Sequence, residues 1–118
     1  EQELSSIGTP IIDGENIFFV TENGYFVIMN KDTGKIISSN NILKILKRKK
    51  RLTKITGFIL GSGKIYSVTL NGYLIVSSAV SGKVEFFKKI GDPIVSSPII
   101  NNGKLFILTK NSRIVGLN

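Results

Sequence analysis

The sequence contains no cysteine, no histidine and no tryptophan. Without imidazole or thiolate, the chain cannot build a His-centred acid/base pair, a cysteine nucleophile or a zinc site of the usual Cys/His kind. Three large enzyme classes are excluded at once. The absence of cysteine leaves the redox compartment open, because a reducing cytoplasm and a disulfide-free envelope protein both accommodate it. Long apolar runs are missing as well. No stretch approaches the roughly eighteen residues of a spanning helix, and residues 1–10 lack the basic start and apolar run of a signal peptide. The chain opens on Glu1 rather than Met, so its natural start is expected to lie elsewhere, and the missing signal says nothing about location.

Carboxylates are few. The eight are Glu1, Glu3, Asp13, Glu15, Glu22, Asp32, Glu85 and Asp92, and most stand alone in predicted turns. Calcium needs several oxygens converging on one point. The one tight acidic group, Asp13-Gly14-Glu15-Asn16, aligns with Asn101-Asn102-Gly103-Lys104, so it reads as a turn whose residues serve the backbone. No catalytic, cofactor-binding or metal-ligating residue is expected, and no cofactor.

What is present is a repeat. The 118 residues, 42% apolar and 20% charged, suffice for one small folded domain. Within it, residues 17–28 (IFFVTENGYFVI) align with 65–76 (IYSVTLNGYLIV) and with 105–116 (LFILTKNSRIVG), at offsets of 48 and then 40 residues. Agreement extends to Asp32-Thr33-Gly34-Lys35 against Val80-Ser81-Gly82-Lys83, and to Thr9-Pro10-Ile11-Ile12 against Ser97-Pro98-Ile99-Ile100. The units cover approximately 9–41, 56–92 and 97–118, with an insertion at 42–55.

Each unit reads as strands. Ile17 to Thr21 and Tyr25 to Met29 are β-branched and aromatic runs separated by Asn23-Gly24, the signature of a type I′ hairpin turn, and Asn71-Gly72 repeats it. Asn111-Ser112 departs from it, so the third turn either differs in type or strains its serine. Turns at Asp13-Gly14 and at residues 31–34 complete four strands per unit. Tyr25 and Tyr73 stand at equivalent positions after the turn and are expected to share a packing role. Helical spacing appears only around Ile42 to Leu46, too short for a stable helix.

Four short strands with a period of roughly forty residues form a β-propeller blade. The stretch Ser97-Pro98-Ile99-Ile100, Gly103-Lys104-Leu105-Phe106 and Thr109 to Leu117, with Thr33-Gly34-Lys35 and Ser81-Gly82-Lys83, resembles the repeat of PQQ-like (quinoprotein-type) β-propellers. The resemblance implies an all-β partial propeller of about three four-stranded antiparallel blades. It also implies a longer parent, of about eight blades by the family pattern, or pairing of the open faces with other copies. That family usually places a Trp four residues after the turn Gly, between neighbouring blades, where this chain has Ser38 and Phe86. Two functional classes share the repeat: dehydrogenases that hold pyrroloquinoline quinone with calcium, and non-catalytic scaffolds similar to the propeller lipoprotein of the bacterial outer-membrane β-barrel assembly machinery. The enzymes use adjacent cysteines and a Trp lining the cofactor, and neither residue type occurs here. The resemblance therefore implies a non-enzymatic protein-interaction scaffold in the bacterial envelope or periplasm, with envelope proteins or the remaining blades as partners. The alternative is part of a quinoprotein dehydrogenase whose active site lies in other blades.

Charge is uneven. Lys44, Lys47, Arg48, Lys49, Lys50, Arg51 and Lys54 hold seven of the sixteen positive charges, and without them the balance of +8 falls to +1. The cluster lies where the first repeat exceeds the second by eight residues, as a loop or lengthened hairpin would. Clustered cations face solvent or seek anionic partners. Lys47, Arg48, Lys49, Lys50 and Arg51 are the candidate contact residues for an acidic protein or an anionic lipid head group. Nucleic acid is disfavoured, since no aromatic residue lies between Asn41 and Gly57 to stack on bases.

Overall fold

The computed structural model describes residues 6–117 and is all-β apart from two 3₁₀ turns. Strands β1 (Ile11–Asp13), β2 (Asn16–Val20), β3 (Tyr25–Asn30) and β4 (Ile36–Asn41) pair antiparallel in sequence order. A second such sheet follows, made of β5 (Ile55–Gly61), β6 (Lys64–Thr69), β7 (Tyr73–Ser78) and β8 (Val84–Lys89). The third sheet holds β9 (Ile99–Asn101), β10 (Lys104–Leu108) and β11 (Ile114–Leu117). These are successive blades of a partial propeller, as the repeats predict.

Period-two alternation assigns each blade two faces. In the first blade Phe18, Val20, Phe26 and Ile28 share one side and bury it against Phe58, Ile65, Tyr73 and Ile75 of the second. The opposite side of the second blade offers Val68, Leu74 and Val76 to Leu105 and Ile107 of the third. The core thus lies between blades. This explains why Tyr73 is buried, at 6.1 Å from the Phe87 ring, while Tyr25 is exposed. The two tyrosines occupy equivalent positions on equivalent faces, but only the face carrying Tyr73 has a blade packed on it among the described residues. The shared packing role expected from the sequence is therefore not realised at Tyr25.

The hairpin turns correct the sequence reading. Gly24 and Gly72 have φ of +99° and +91°, but Asn23 and Asn71 do not have positive φ, as type I′ would require. Gly24 N–H donates to the Thr21 carbonyl at 3.0 Å and Thr21 N–H to the Tyr25 carbonyl at 2.8 Å. This is a type I turn closed by a left-handed glycine, one residue longer than expected. The Thr21 hydroxyl stabilises it by accepting from Tyr25 N–H at 2.9 Å, and Thr69 does the same for Tyr73. In the third blade Ser112 takes the glycine's place at φ +60°, so the strained-serine alternative is the one realised. Positive φ at both central residues occurs instead at Ser62-Gly63 and Asn102-Gly103, in the β5–β6 and β9–β10 turns.

Candidate interaction face

The insertion after β4 has two halves with different roles. Asn41 begins the first 3₁₀ turn (Ile42–Ile45) by accepting from Leu43 N–H at 3.0 Å, and Ile42 N–H donates to the Gly24 carbonyl at 2.8 Å. These bonds turn Ile42, Leu43 and Leu46 inward, where all three are buried between the first two blades. The segment adds no strand, so the lengthened hairpin considered from the sequence is not what the insertion builds. Its apolar spacing marks a buried plug.

The second half is the second 3₁₀ turn (Arg48–Arg51), and residues 47–52 are all exposed. Its backbone is nonetheless fixed. Arg51 reaches back, its Nε donating to the Leu46 carbonyl at 2.9 Å and its Nη2 to the Lys44 carbonyl at 3.1 Å. From the second blade, Asn71 Nδ2 donates to the Lys50 carbonyl at 3.0 Å and Asn71 N–H to the Thr53 hydroxyl at 3.2 Å. Ile55 N–H then donates to the Glu22 carbonyl at 2.9 Å, with the Lys54 ammonium 4.0 Å from the Glu22 carboxylate. The structure thus brings Lys47, Arg48, Lys49 and Lys50 together as an outward ridge. Arg51 is directed back onto the chain, where its charge satisfies carbonyls that a 3₁₀ turn leaves free.

This ridge belongs to a wider charged end. The β2–β3, β6–β7 and β10–β11 turns and the segments joining successive sheets all lie at the same end of the strands. Among the described residues, that end collects the seven cations of residues 44–54, Lys88 and Lys89 at the close of β8, and Lys110 and Arg113 in the β10–β11 turn, against Glu22 and Asp92. The other end carries five cations and four acids. Among the described residues almost all the net charge is therefore polarised along the strands. Arg113 is ion-paired to Asp92 at 2.8 Å; among the described residues no ion pair involves Lys47, Arg48, Lys49 or Lys50. Sequence reasoning found the ridge and missed its extension, although the distance of Lys88, Lys89, Lys110 and Arg113 from their hairpin turns was a usable signal.

Other features offer less chemistry. Glu1 and Glu3 lie outside the described residues, and among the described residues no three acidic, His or Cys side chains form a metal-sized group. Also among them, no helix is long and apolar enough to cross a membrane. A gap of about 390 Å³ remains between the second and third blades, lined by Tyr66, Leu74, Phe86, Ile100, Leu105 and Leu117.

Residues 29–118 match the family described as outer membrane protein assembly factor BamB. The chain belongs to this BamB family of PQQ-like propeller repeats. Among solved structures, BamB from Moraxella catarrhalis superimposes with a TM-score of 0.78 at 16% identity, covering 97% of this chain and 32% of that one. Quinohemoprotein alcohol dehydrogenase from Comamonas testosteroni gives 0.67 at 18% identity, covering 88% and 17%. A europium-containing methanol dehydrogenase gives 0.65 at 16% identity, covering 87% and 21%. No curated protein matches. The chain thus spans about a third of the BamB it resembles, and it shares the blade architecture with both BamB and the dehydrogenases.

Proposed function

We propose that the chain is a segment of a non-catalytic propeller scaffold that mediates protein–protein contact in outer-membrane protein assembly, in the bacterial envelope. Membership of the BamB family over residues 29–118 carries this reading. A scaffold needs presented surface more than chemistry, and two features of the chain fit. One is the cationic end just described. The other is the outward side of the third blade, where Ile99, Leu108 and Ile114 are 63%, 47% and 70% exposed. Such an apolar sheet face is a contact surface in waiting, suited to a further blade of a longer protein or to another copy.

The dehydrogenase alternative makes an opposite prediction about the same protein. Removing the full-length protein from its source bacterium is expected to lower the folded β-barrel content of the outer membrane, read as heat-modifiable bands on gels. Isothermal titration with pyrroloquinoline quinone in calcium is expected to give no binding heat. Unchanged barrel content together with a stoichiometric micromolar titration would replace the scaffold with a quinoprotein.

A further inference from the structure

We propose that the cationic end of the blades rests on an anionic lipid bilayer, with Lys47, Arg48, Lys49 and Lys50 as its contact ridge and Leu52 inserted among the head groups. The inference rests on the envelope reading above, which supplies the membrane.

Three observations on the ridge favour a lipid surface over other anionic partners. Leu52 is 92% exposed, more than any other large apolar side chain described, and it directly follows the five cations of residues 47–51. A protruding leucine beside clustered lysines is the arrangement that binds an interface, where the apolar group enters the acyl boundary and the cations meet phosphate. Second, the depression beside the ridge, about 610 Å³ and lined by Leu43, Leu52 and Leu70 among others, is wide open, with no wall to clasp a peptide. Third, the positive charge is spread rather than focused, since Lys88, Lys89 and Lys110 extend it across the neighbouring blades at the same end. Lysine ammonium groups suit this task, because they act as point charges and need no fixed geometry to meet a head group. Arg51 and Asn71 hold the ridge backbone in place, so its charges are presented without an ordering cost on contact.

The test is cosedimentation of the full-length protein with vesicles of phosphatidylcholine alone or with about one-third phosphatidylglycerol. Binding is expected only to the anionic vesicles and should weaken steeply between low and physiological salt. Replacing Lys47, Arg48, Lys49 and Lys50 together by Ser should reduce affinity by roughly several hundredfold, since each cation near such a surface contributes about fivefold. The melting temperature should not move, because these side chains are exposed. Leu52→Ser, at unchanged charge, should cost about tenfold. Equal binding to neutral vesicles, no binding to anionic ones, or undiminished binding by the four-residue variant would overturn the proposal. Capture of a soluble polyglutamate peptide by the same four residues, without vesicle binding, would also overturn it and assign the ridge to an acidic protein. Vesicle binding and barrel content are separate readouts, so failure of this proposal is distinguishable from failure of the scaffold reading.

Discussion

Among the described residues, thirteen side chains are buried together between the first and second blades and six between the second and third, where a gap of about 390 Å³ remains beside half-exposed Phe86. Two things separate the seams: among the described residues the third sheet has three strands where the first two have four, and the first seam alone receives an insertion. At the first seam the insertion contributes Ile42, Leu43 and Leu46. Ser38 adds a polar latch, its hydroxyl donating to the Ser81 carbonyl at 3.1 Å while Asn40 Nδ2 donates to the Gly82 carbonyl at 3.0 Å. Gly82 permits this approach, because a Cβ there would collide with the Ser38 hydroxyl. At the second seam Phe86 stands where Ser38 does, and no insertion covers it. The insertion that makes the protein basic is thus also what seals the better-packed seam.

The largest expected effect comes from breaking that seal. Leu46→Ala should destabilise the protein by about 3 kcal/mol, the usual result of emptying a fully buried leucine site, and chemical denaturation would measure it. A loss under about 1 kcal/mol would mean that the insertion is a surface loop. Next, tryptophan at the two equivalent positions should act with opposite sign. Ser38→Trp breaks the latch and overfills the first seam, costing about 2 kcal/mol. Phe86→Trp enters the existing gap and should stabilise by about 1 kcal/mol. Shifts of the same sign would show that the seams do not differ as described.

Much of this was legible in the sequence. Asn-Gly and Thr-Gly-Lys punctuation with alternating apolar residues located blades, strands and repeats, because those signals act locally. The missed parts depend on what packs on a face. Tyr25 and Tyr73 look alike along the chain, and only the neighbouring blade distinguishes them. Ile42, Leu43 and Leu46 were too short a periodic run to suggest a helix, and their burial rests on three-dimensional neighbours. The turn type is not legible from Asn-Gly alone, because it depends on Thr21 and Thr69, whose hydroxyls accept from the backbone although both look like strand residues in the sequence. For the candidate site, Lys47 to Arg51 stood out as a charge run, but the diversion of Arg51 onto carbonyls and the addition of Lys88, Lys89 and Lys110 required the topology.

Smaller effects sharpen the same comparison. Ser67 and Ser77 lie on the side of the second blade that faces the first, and their hydroxyls are buried without a hydrogen-bond partner among the described residues. Ser67→Ala and Ser77→Ala should each stabilise by up to about 1 kcal/mol, since an unpaired buried hydroxyl is removed from a packed seam. A loss of more than that in either variant would mean that the hydroxyl is satisfied after all. At the mouth of the second seam, hydrogen bonding and charge attraction from Glu85, 2.9 Å away, raise the Lys64 ammonium above the ordinary lysine value of 10.5. A raised pKa stabilises below the ordinary value and is lost as pH rises through the raised one. The difference in melting temperature between the parent and Glu85→Gln should therefore be small near neutrality, because the pair is exposed, and should close in the alkaline range above 10.5. A difference that widens there would contradict the assignment.

If a BamB-family scaffold works through its cationic end, outer-membrane assembly should depend on the ridge of residues 47–50. The direct measurement is outer-membrane barrel content in a strain whose only copy of the full-length protein carries Ser at 47, 48, 49 and 50, with its abundance checked by immunoblot. Normal abundance with reduced barrel content is the expected result. Normal abundance with normal barrel content would contradict it.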